Sequence, residues 1–409
     1  MTDRMVIVGA SLAGLRAAQA ARKAGHDGPM SLVGAETHLP YDRPPLSKSY
    51  LEAGEDEPDS PTFRSEAQLR DELDLELRLN TWATGLDASR KRLSLCEGAG
   101  RDELEYSTVI VATGAKARTL PGADNLQGVH TLRTLDDAIA IRAALDAGAR
   151  TVVVGAGFIG SEVASGARKR NLPVTVLEAL PVPLVRSVGE QMGRACAELH
   201  RAHGTDLRCG VKVTGLLSTD GQVTGVSLDD GTTVDADLVV VGTGVAPCTE
   251  WLADSGVTLH GRDGGIVCDE TLGTGLPGVY AAGDVAHFPH PLFDGQVMRL
   301  EHWTNAAEQG ALAAKNALHP DEAKPVTGVP YFWSDWYDSR IQFVGVPQAD
   351  EIRVVSEELG DDRFLALYRR GERVTGCITI DRPTQVMKYR RMIAQSTSWS
   401  DALEFAGVS

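Results

Sequence analysis

Two glycine-rich turns are the stretches of this 409-residue chain most suited to binding chemistry. The second, TVVVGAGFIGSEVA, carries the complete Gly-x-Gly-x-x-Gly pattern at residues 155–160, which lets a backbone turn approach a pyrophosphate. The first, VIVGASLAGLRAA, keeps Gly9 and Gly14 in the outer positions, but Ser11 replaces the middle glycine. We expect Ser11 to be tolerated, because its side chain is small and its hydroxyl can donate to a phosphate oxygen.

An acidic residue follows each turn at the distance where a ribose would lie. Each turn comes after an apolar strand, opens a helix, and is followed about 20 residues later by an acid expected to end the next strand. Glu36 and Glu178 hold these positions, and a carboxylate there accepts hydrogen bonds from ribose hydroxyls. Two tight turns without ligands are the alternative. Two copies in this context instead predict two dinucleotides, a flavin and a nicotinamide, held for hydride transfer.

The elements around these turns predict an α/β fold. A βαβ unit runs from residue 4 to Glu36, and a second one starts at residue 150. The first unit lacks later strands, and GVYAAGD, after the second unit ends, supplies a suitable one. After Pro325 short strand patterns and a final helix from about residue 383 indicate an α+β domain. We therefore predict two Rossmann-like dinucleotide-binding domains, one inserted in the other, and a C-terminal α+β domain.

Composition and charge exclude several classes of function. The formal net charge of −16 makes nucleic acid or an anionic membrane an unsuitable partner. No apolar run approaches the roughly 20 residues of a membrane helix, and the N-terminus does not have the pattern of a signal peptide, so we expect a cytoplasmic protein. Six cysteines occur without a Cys-x-x-Cys pair, which predicts buried thiols and neither a metal site nor a redox disulfide.

Eight motifs in order give the chain a family resemblance. They are GASLAG, PYDRPPLSKSYL, VIVATGAKAR, TLRTLDDA, GAGFIGSEVA, GTGVAPCTEWLADSGV, VYAAGDVA and YFWSDWYD. The chain resembles the FAD-dependent ferredoxin reductases that serve bacterial cytochromes P450 and aromatic-ring dioxygenases, over essentially its whole length. PPLSK and WSDWYD are specific within the wider glutathione-reductase-like fold. The resemblance implies an FAD domain of residues 1–111 and 245–322, an NAD domain of 112–244, and a C-terminal interface domain of 323–409.

The resemblance also implies the residues around each cofactor. Those expected around FAD are Gly9, Ser11, Leu12, Ala13, Gly14, Glu36, Arg43, Lys48, Ala83, Thr113, Gly114, Arg133, Asp284 and Trp303. Those expected around NADH are Gly155, Gly157, Phe158, Ile159, Gly160, Glu178, Arg186 and Gly244. For two of the FAD residues a purely structural role is open: Asp284 would also suit a helix N-cap, and Arg133 a surface position.

Lys48 and Glu162 are the expected catalytic pair. Lys48 near the flavin N5 would stabilise developing negative charge, and the resemblance pairs it with Glu162 on the opposite domain. A solvated lysine and a glutamate favoured by the helix dipole are the alternative. A helix beginning near Asn305, with Glu308 completing a capping box, would direct its positive end at the flavin.

The implied activity is that of an NADH:ferredoxin oxidoreductase. Electrons pass from NADH through FAD to an acidic [2Fe–2S] ferredoxin, which supplies a cytochrome P450 or Rieske-type oxygenase. Because this chain is acidic too, docking requires a local basic patch; the alternative is a solvated face of intrachain ion pairs. The candidate residues, here named the basic patch, are Arg369, Arg370, Arg373, Lys388, Arg390 and Arg391. Glu178, followed by Ala179 and Leu180, predicts NADH over NADPH.

Two rival functions share parts of this pattern. An NADH oxidase or disulfide reductase of the same fold needs a cysteine beside the flavin, and residues 43–48 contain none. A flavin-bearing signalling protein resembling apoptosis-inducing factor would contact nucleic acid, which the net charge of −16 opposes. The reductase is therefore the favoured interpretation.

Overall fold

A computed structural model describes residues 3–52, 58–355 and 364–408 of the chain. The chain forms two compact units, each assembled from three segments. The first unit comprises Met1–Asp42, Pro61–Lys116 and Ala246–Pro330. The second comprises Arg43–Ser60, Ala117–Val245 and Tyr331–Ser409. Segments of the two units therefore alternate along the sequence, and the C-terminal segment from Tyr331 belongs to the second unit.

A five-stranded parallel sheet forms the core of the first unit. Its central strand, Met5–Val8, is a run of four buried apolar residues, which is typical of a strand covered on both faces. The strands in spatial order are Val279–Ala281, Thr108–Val111, Met5–Val8, Met30–Val33 and Leu75–Arg78. Val279–Ala281 pairs in parallel with Thr108–Val111. This confirms that a strand after the inserted unit completes the first sheet.

Two helices of the first unit pack closely on each other. Leu12–Lys23 follows the first glycine turn, and Trp303–Leu318 lies against it. Gly310 is required at the contact, because a Cβ there would lie 2.1 Å from the Ala13 carbonyl oxygen. The missing side chain therefore allows one helix backbone to approach the start of the other.

The predicted capping box of the later helix is wrong. The helix begins at Trp303, and His302 is its N-cap residue. Asn305 lies inside the first turn, where it is buried and its Nδ2 donates to the Leu300 carbonyl at 3.2 Å. Its amide is therefore used to fix the preceding strand-to-helix turn instead of capping the helix.

Two small sheets complete the first unit. One is an antiparallel sheet of three strands, Thr81–Asp87, Arg92–Glu97 and Gly100–Glu105. The other contains Ile266–Val267, Ala286–His290 and Gln296–Met298. The short strands Ala115–Ala117 and Val245–Pro247 span the points in the sequence where the chain changes units.

The second unit contains its own five-stranded parallel sheet. In spatial order its strands are Asp206–Cys209, Val174–Glu178, Thr151–Val154, Leu238–Val241 and Val129–His130. The unit also contains an antiparallel sheet of Val213–Thr219, Gln222–Leu228 and Thr233–Asp235. The helices that accompany these sheets are Leu135–Asp146, Phe158–Lys169 and Val185–Ala202.

The C-terminal segment forms the predicted α+β structure. Its antiparallel strands are Tyr331–Trp336, Ser339–Gly345, Arg373–Ile380, Phe364–Arg370 and Glu351–Val354, followed by helices Pro383–Ala394 and Trp399–Ala406. Phe332, Trp336 and Tyr368 of this sheet share one apolar cluster with Val188 and Met192 of the helix Val185–Ala202. The C-terminal sheet therefore packs against the helix Val185–Ala202 of the same unit.

No membrane-crossing helix occurs in residues 3–52, 58–355 and 364–408, since none there is both long and apolar enough.

Candidate functional site

The first glycine turn is closed by backbone contacts that exclude a side chain. Gly9 has a φ of +123°, and a Cβ on it would lie 2.1 Å from the Ala112 carbonyl oxygen. A Cβ on Gly14 would lie 2.0 Å from the Gly9 carbonyl oxygen. Ser11, between them, is the N-cap residue and has an extended backbone. The turn therefore forms despite the missing middle glycine and points the first amides of a 12-residue helix outward from its N-terminus.

The second glycine turn repeats this construction in the second unit. Gly155 has a φ of +103°, and its Cβ would lie 2.5 Å from the Gly242 carbonyl oxygen. A Cβ on Gly160 would lie 2.2 Å from the Gly155 carbonyl oxygen. Gly157 is the N-cap residue of the helix Phe158–Lys169 and has no side chain to satisfy the first helical amides. These amides and the helix dipole suit an anionic ligand such as a pyrophosphate.

Glu178 lies where the sequence places it, but it also has partners within the protein. It is the last residue of the strand Val174–Glu178. Its carboxylate accepts hydrogen bonds from the amides of Ala156 and Leu180, both at 2.8 Å. The acid therefore ties the end of its own strand to the glycine turn.

The predicted strand ending at Glu36 is too long. The strand is Met30–Val33, and Gly34 turns the chain away by donating its amide to the Arg78 carbonyl at 2.8 Å. A Cβ on Gly34 would lie 2.5 Å from the Ala10 Cβ, so the chain passes directly against the first glycine turn there. Glu36 follows in a loop and accepts a hydrogen bond from the Tyr41 hydroxyl.

Lys48 and Glu162 form an ion pair in the second unit. The Lys48 Nζ lies 2.8 Å from the Glu162 Oε1, and only 2% of the Glu162 side chain is exposed. Residues 43–60 belong to the same compact unit as Glu162, whereas the resemblance implies opposite domains. The short turn before Lys48, Pro44–Ser47, contacts the helix that carries Glu162, and the turn after it, Ser49–Leu51, contacts the helix Leu135–Asp146. Packing of these elements, invisible in the sequence, positions the pair.

Two serines that the sequence analysis did not single out also contact Glu162. The Ser47 hydroxyl donates to the Glu162 Oε2, and the Ser334 hydroxyl donates to Oε1. Both serines lie inside motifs of the family resemblance, PPLSK and WSDW, but a serine in a turn or strand carries no recognisable signal of its own. Only the fold shows that they converge on one carboxylate.

Two of the residues predicted around FAD lie in the first unit, Trp303 at the start of the later helix and Asp284 after the strand Val279–Ala281. The Trp303 indole Nε1 donates to the Asp42 Oδ1 at 2.7 Å. Asp284 follows the strand Val279–Ala281, and its carbonyl accepts from the Arg299 Nη1 at 2.8 Å. The backbone at Asp284 is therefore anchored by a charged side chain.

Arg299 is itself held by a buried charged cluster. Its Nε lies 3.0 Å from the Asp263 Oδ2, and the Asp263 Oδ1 accepts from the His287 Nε2 at 2.9 Å. Burial alone would raise the pKa of Asp263, but hydrogen bonds from His287, Gly265 and Arg299 hold that pKa well below its usual range. The cluster thus stabilises the anchor of Asp284.

Asp263, His260 and His287 also form the kind of side-chain group that can bind a metal ion. The two imidazole rings stack, with centroids 4.1 Å apart and planes 17° apart. The His260 Nδ1 and the His287 Nε2 both lie within hydrogen-bond distance of the Asp263 Oδ1, at 3.2 and 2.9 Å, so both ring nitrogens already have a partner within the group. The arrangement favours hydrogen bonding to Asp263 over coordination of an ion.

The remaining first-unit residues that are predicted around FAD lie in local turns, strands and helices of that unit. Thr113 donates its hydroxyl to the Cys248 carbonyl at 2.8 Å, and Gly114 has a φ of +65°. Ala83 lies in the strand Thr81–Asp87 and packs against the core of the unit. Leu12 and Ala13 are buried in the first turn of their helix.

Arg43 and Arg133 contact each other in the second unit. The Arg43 guanidinium donates to the Arg133 carbonyl. The Arg133 amide in turn donates to the Asp137 Oδ2 at 2.9 Å, next to the capping box that begins the helix Leu135–Asp146. Arg43, Lys48 and Arg133 thus belong to the second unit, while the other FAD candidates belong to the first.

All eight residues predicted around NADH belong to the second unit. Gly244 has a φ of +100°, and its carbonyl accepts from the Arg118 amide at 2.9 Å. Arg186 is exposed in the first turn of the helix Val185–Ala202. The Phe158 ring lies 4.6 Å from the Phe332 ring, which joins the second glycine turn to the C-terminal sheet.

Comparison with known proteins identifies the family. Residues 3–310 match the pyridine nucleotide-disulphide oxidoreductase family, and residues 331–405 match the reductase C-terminal family. Rhodocoxin reductase of Rhodococcus erythropolis is 36% identical over 95% of this chain and 89% of its own length. The putidaredoxin reductase of Pseudomonas putida is 36% identical over 96% of this chain and 92% of its own. The chain belongs to the pyridine nucleotide-disulphide oxidoreductase family.

A solved structure within this family matches nearly the whole chain. The crystal structure of the covalent putidaredoxin reductase–putidaredoxin complex has a TM-score of 0.89 and 34% sequence identity. The match covers 96% of this chain and 93% of that one. The two parallel sheets and the C-terminal reductase domain are therefore those of an oxidoreductase, and the predicted fold class is confirmed.

The family implies FAD and NAD(H), and the residues present fit both cofactors. Each glycine turn leaves no room for a Cβ at its first and last glycine, so backbone alone lines the approach to each helix N-terminus. In the first unit the buried Gln309 accepts from the Gly283 amide at 2.8 Å, just before Asp284. This fixes the backbone beside Asp284, one of the residues predicted around FAD.

Three of the six cysteines, Cys196, Cys268 and Cys377, are buried and unsuited to thiol chemistry, whereas Cys96, Cys209 and Cys248 are only partly buried. All six are free, and burial raises the pKa of Cys196 and Cys268 to about 12. Burial also raises the pKa of the Cys377 thiol well above its usual range. Because the thiolate is the reacting species, these thiols are inert at neutral pH.

The residues of the basic patch lie in two settings, a strand pair and a helix. The Arg369 Nε lies 3.0 Å from the Glu351 Oε2, which is the intrachain ion pairing considered as the alternative. On the helix Pro383–Ala394, Arg390 lies over the Tyr331 ring and Lys388 over the Phe405 ring. Arg391, next to them, is exposed. The helical half of the patch is therefore the better candidate for docking.

Proposed function

We propose that this protein is an NADH-dependent, FAD-containing reductase that delivers electrons to a [2Fe–2S] ferredoxin serving a cytochrome P450 or Rieske-type oxygenase. The observation that carries this proposal is the presence of two glycine turns of the dinucleotide-binding type together with a reductase C-terminal domain. Relatives at 36% identity over nearly the full chain are the reductases of rhodocoxin and putidaredoxin. Both halves of the proposal, the donor and the acceptor, rest on this combination.

In the first unit we assign FAD binding to the turn from Gly9 to Gly14. The first amides of the helix Leu12–Lys23 meet the pyrophosphate, with the Ser11 hydroxyl as an added donor. Glu36 is assigned to the ribose hydroxyls. Asp284, its backbone anchored by Arg299, is assigned to the ribityl chain.

In the second unit we assign NADH binding to the turn from Gly155 to Gly160. The N-terminal amides of the helix Phe158–Lys169 meet the pyrophosphate, and Glu178 accepts from the ribose hydroxyls with the oxygen capacity left by its two amide bonds. A carboxylate at this position also repels a 2′-phosphate, which favours NADH.

FAD, when bound, supplies both an acceptor for the hydride of NADH and a donor of single electrons. The chain's own contribution is electrostatic, because no side-chain nucleophile is required. Lys48 provides a positive charge that favours negative charge developing beside it, and Glu162 holds the Lys48 ammonium in place at 2.8 Å. We assign these two residues the catalytic roles on that ground.

The rival enzyme class, a disulfide reductase or thiol-dependent NADH oxidase, requires a reactive cysteine. The buried thiols and the absence of cysteine from residues 43–48 oppose it. The rival binding class, a flavin-bearing protein that contacts nucleic acid, is opposed by the net charge of −16. We further propose that the enzyme works in the cytoplasm, where thiols stay reduced, in keeping with six free cysteines.

The proposal is tested by measuring cytochrome c reduction with the FAD-loaded protein, NADH and a [2Fe–2S] ferredoxin. Rapid reduction of cytochrome c only when ferredoxin is added supports the proposal. Equally rapid reduction without ferredoxin, or NADH oxidation that ferredoxin does not alter, would remove ferredoxin as the acceptor.

A further inference from the structure

The Glu162 carboxylate is held by three groups from two distant segments of the chain. Lys48 and Ser47 belong to the turn segment at residues 44–51, and Ser334 belongs to the first strand of the C-terminal sheet. Lys48 and Ser334 both contact Oε1, while Ser47 contacts Oε2. With 2% of its side chain exposed, the carboxylate depends on these groups in place of water.

The Ser334 hydroxyl has a fixed direction. The Trp336 indole Nε1 donates to the Ser334 Oγ at 2.9 Å, so the serine oxygen acts as the acceptor on that side. The serine's own proton then points to the Glu162 Oε1. Trp336 and Ser334 are both fully buried, so neither exchanges this partner for water. The WSDW motif therefore ends in a directed hydrogen bond to the carboxylate that pairs with Lys48.

We propose that Ser47 and Ser334 are positioning residues that keep the Glu162 carboxylate directed at Lys48, with Trp336 fixing Ser334. A carboxylate has about four lone-pair positions, and removing a donor frees the group to rotate toward another partner. Lys48, whose side chain is 18% exposed, would then spend more time unpaired. The effect on hydride transfer rests on the proposed function, whereas the positioning of Lys48 does not.

The test compares FAD-loaded variants with a matched control in the same helix as Glu162. Ser334→Ala removes one donor, Ser47→Ala removes the other, and Ser334→Thr retains a hydroxyl. Ser165→Ala is the control, because Ser165 is equally buried but its hydroxyl accepts from the Tyr337 amide at 2.6 Å. Thermal unfolding of each variant checks that the fold is retained.

The first readout is the rate at which an N-hydroxysuccinimide acetate reagent acetylates Lys48, measured by peptide mass spectrometry. The exposed Lys116 and Lys169 provide internal reference rates. Since a hydrogen bond to a charged group is among the stronger ones, we expect Ser334→Ala and Ser47→Ala each to raise Lys48 acetylation by roughly threefold to tenfold. Ser334→Thr and Ser165→Ala should match the unmodified protein.

The second readout is the rate constant of flavin reduction by NADH in anaerobic stopped-flow mixing. We expect Ser334→Ala to lower it by about tenfold with an unchanged Kd for NADH, and Ser334→Thr to restore it. If Lys48 is acetylated in the folded Ser334→Ala and Ser47→Ala variants at the same rate as in Ser165→Ala, the positioning proposal is wrong. If acetylation rises in these variants but Glu162→Gln reduces its flavin at the normal rate, positioning stands and the catalytic role of the pair fails.

Discussion

The Glu178 carboxylate accepts the Ala156 amide at 2.8 Å, so the acid that follows the second glycine turn also closes that turn. A second bond, from the Leu180 amide, fixes the other carboxylate oxygen. Glu178 is therefore preorganised before any ribose is bound. Its negative charge and its support of the turn are separable properties.

Replacement of Glu178 should change cofactor preference. The unmodified enzyme should favour NADH over NADPH in kcat/KM by about tenfold or more, because the carboxylate repels a 2′-phosphate. Glu178→Gln should reduce the ratio of kcat/KM for NADH to kcat/KM for NADPH while keeping an acceptor for one of the two amides. Glu178→Ala should reduce this ratio and also raise the KM for NADH, since both amide bonds are lost. Steady-state kinetics with each coenzyme tests this, and equal efficiency in the unmodified enzyme would refute the role of Glu178.

Thiol chemistry should be dispensable. Each of the six single Cys→Ser variants should retain NADH:ferricyanide activity within about twofold of the unmodified enzyme. The variants at the buried Cys196, Cys268 and Cys377 should also lose roughly 1–3 kcal/mol of folding stability. Because Cys96 is only partly buried, Cys96→Ser is the matched control for the buried positions. A folded variant that kept its FAD but no longer accepted electrons from NADH would show that a thiol takes part.

The glycine turns and their setting could be predicted from sequence because their causes are local. A strand, a residue at positive φ and a following helix occupy adjacent positions, as Gly9 and Gly155 show. The ends of the strands and helices are predicted less accurately, because they depend on tertiary contacts. The strand before Glu36 ends at Val33 because Gly34 meets Arg78 and Ala10, contacts made by distant parts of the chain.

The support around Glu162 could not be predicted for the same reason. Ser47 lies 115 residues before Glu162, and Ser334 lies 172 residues after it. Neither serine has a spacing or periodicity that connects it to the acid. Likewise the apparent capping box at Asn305 has the right residue types, but the helix starts earlier, at Trp303. Tertiary packing decides both cases.

Acid should destabilise the fold partly through His200. This side chain is buried between the Tyr337 hydroxyl, at 2.6 Å, and the Ser161 hydroxyl, at 3.1 Å. Burial, and then the nearby His203, lower the pKa of His200 to about 4. The unfolded chain binds a proton near pH 6.5 while the folded one does not, so stability is present above pH 6.5 and is lost as pH falls toward 4.

The measurement for His200 is the free energy of unfolding in urea at pH 7 and pH 5. The decrease in the free energy of unfolding from pH 7 to pH 5 should be smaller by about 2 kcal/mol in His200→Gln than in the unmodified protein, because the variant lacks the titrating group. The exposed His319→Gln is the control and should leave the loss unchanged. An identical pH dependence in His200→Gln and the unmodified protein would contradict the lowered pKa.

Ferredoxin docking should depend on the helical half of the basic patch. Charge reversal at Arg390 and Arg391 should raise the KM for ferredoxin by roughly fivefold to tenfold and leave NADH:ferricyanide turnover unchanged. Turnover with ferredoxin should also fall as salt rises, since attraction is screened within about 8–10 Å at physiological ionic strength. Arg90→Glu, an exposed charge change in the first unit, is the control. An unaltered KM in the folded, FAD-loaded double variant would place docking elsewhere.

The central claim is that electrons from NADH reach a [2Fe–2S] ferredoxin through this protein. It is tested most directly by mixing the FAD-loaded enzyme anaerobically with limiting NADH and excess oxidised ferredoxin, then counting reduced clusters by electron paramagnetic resonance. Because one hydride carries two electrons and each cluster takes one, about two reduced clusters per NADH are predicted. NADH oxidation that leaves the ferredoxin oxidised would contradict the account.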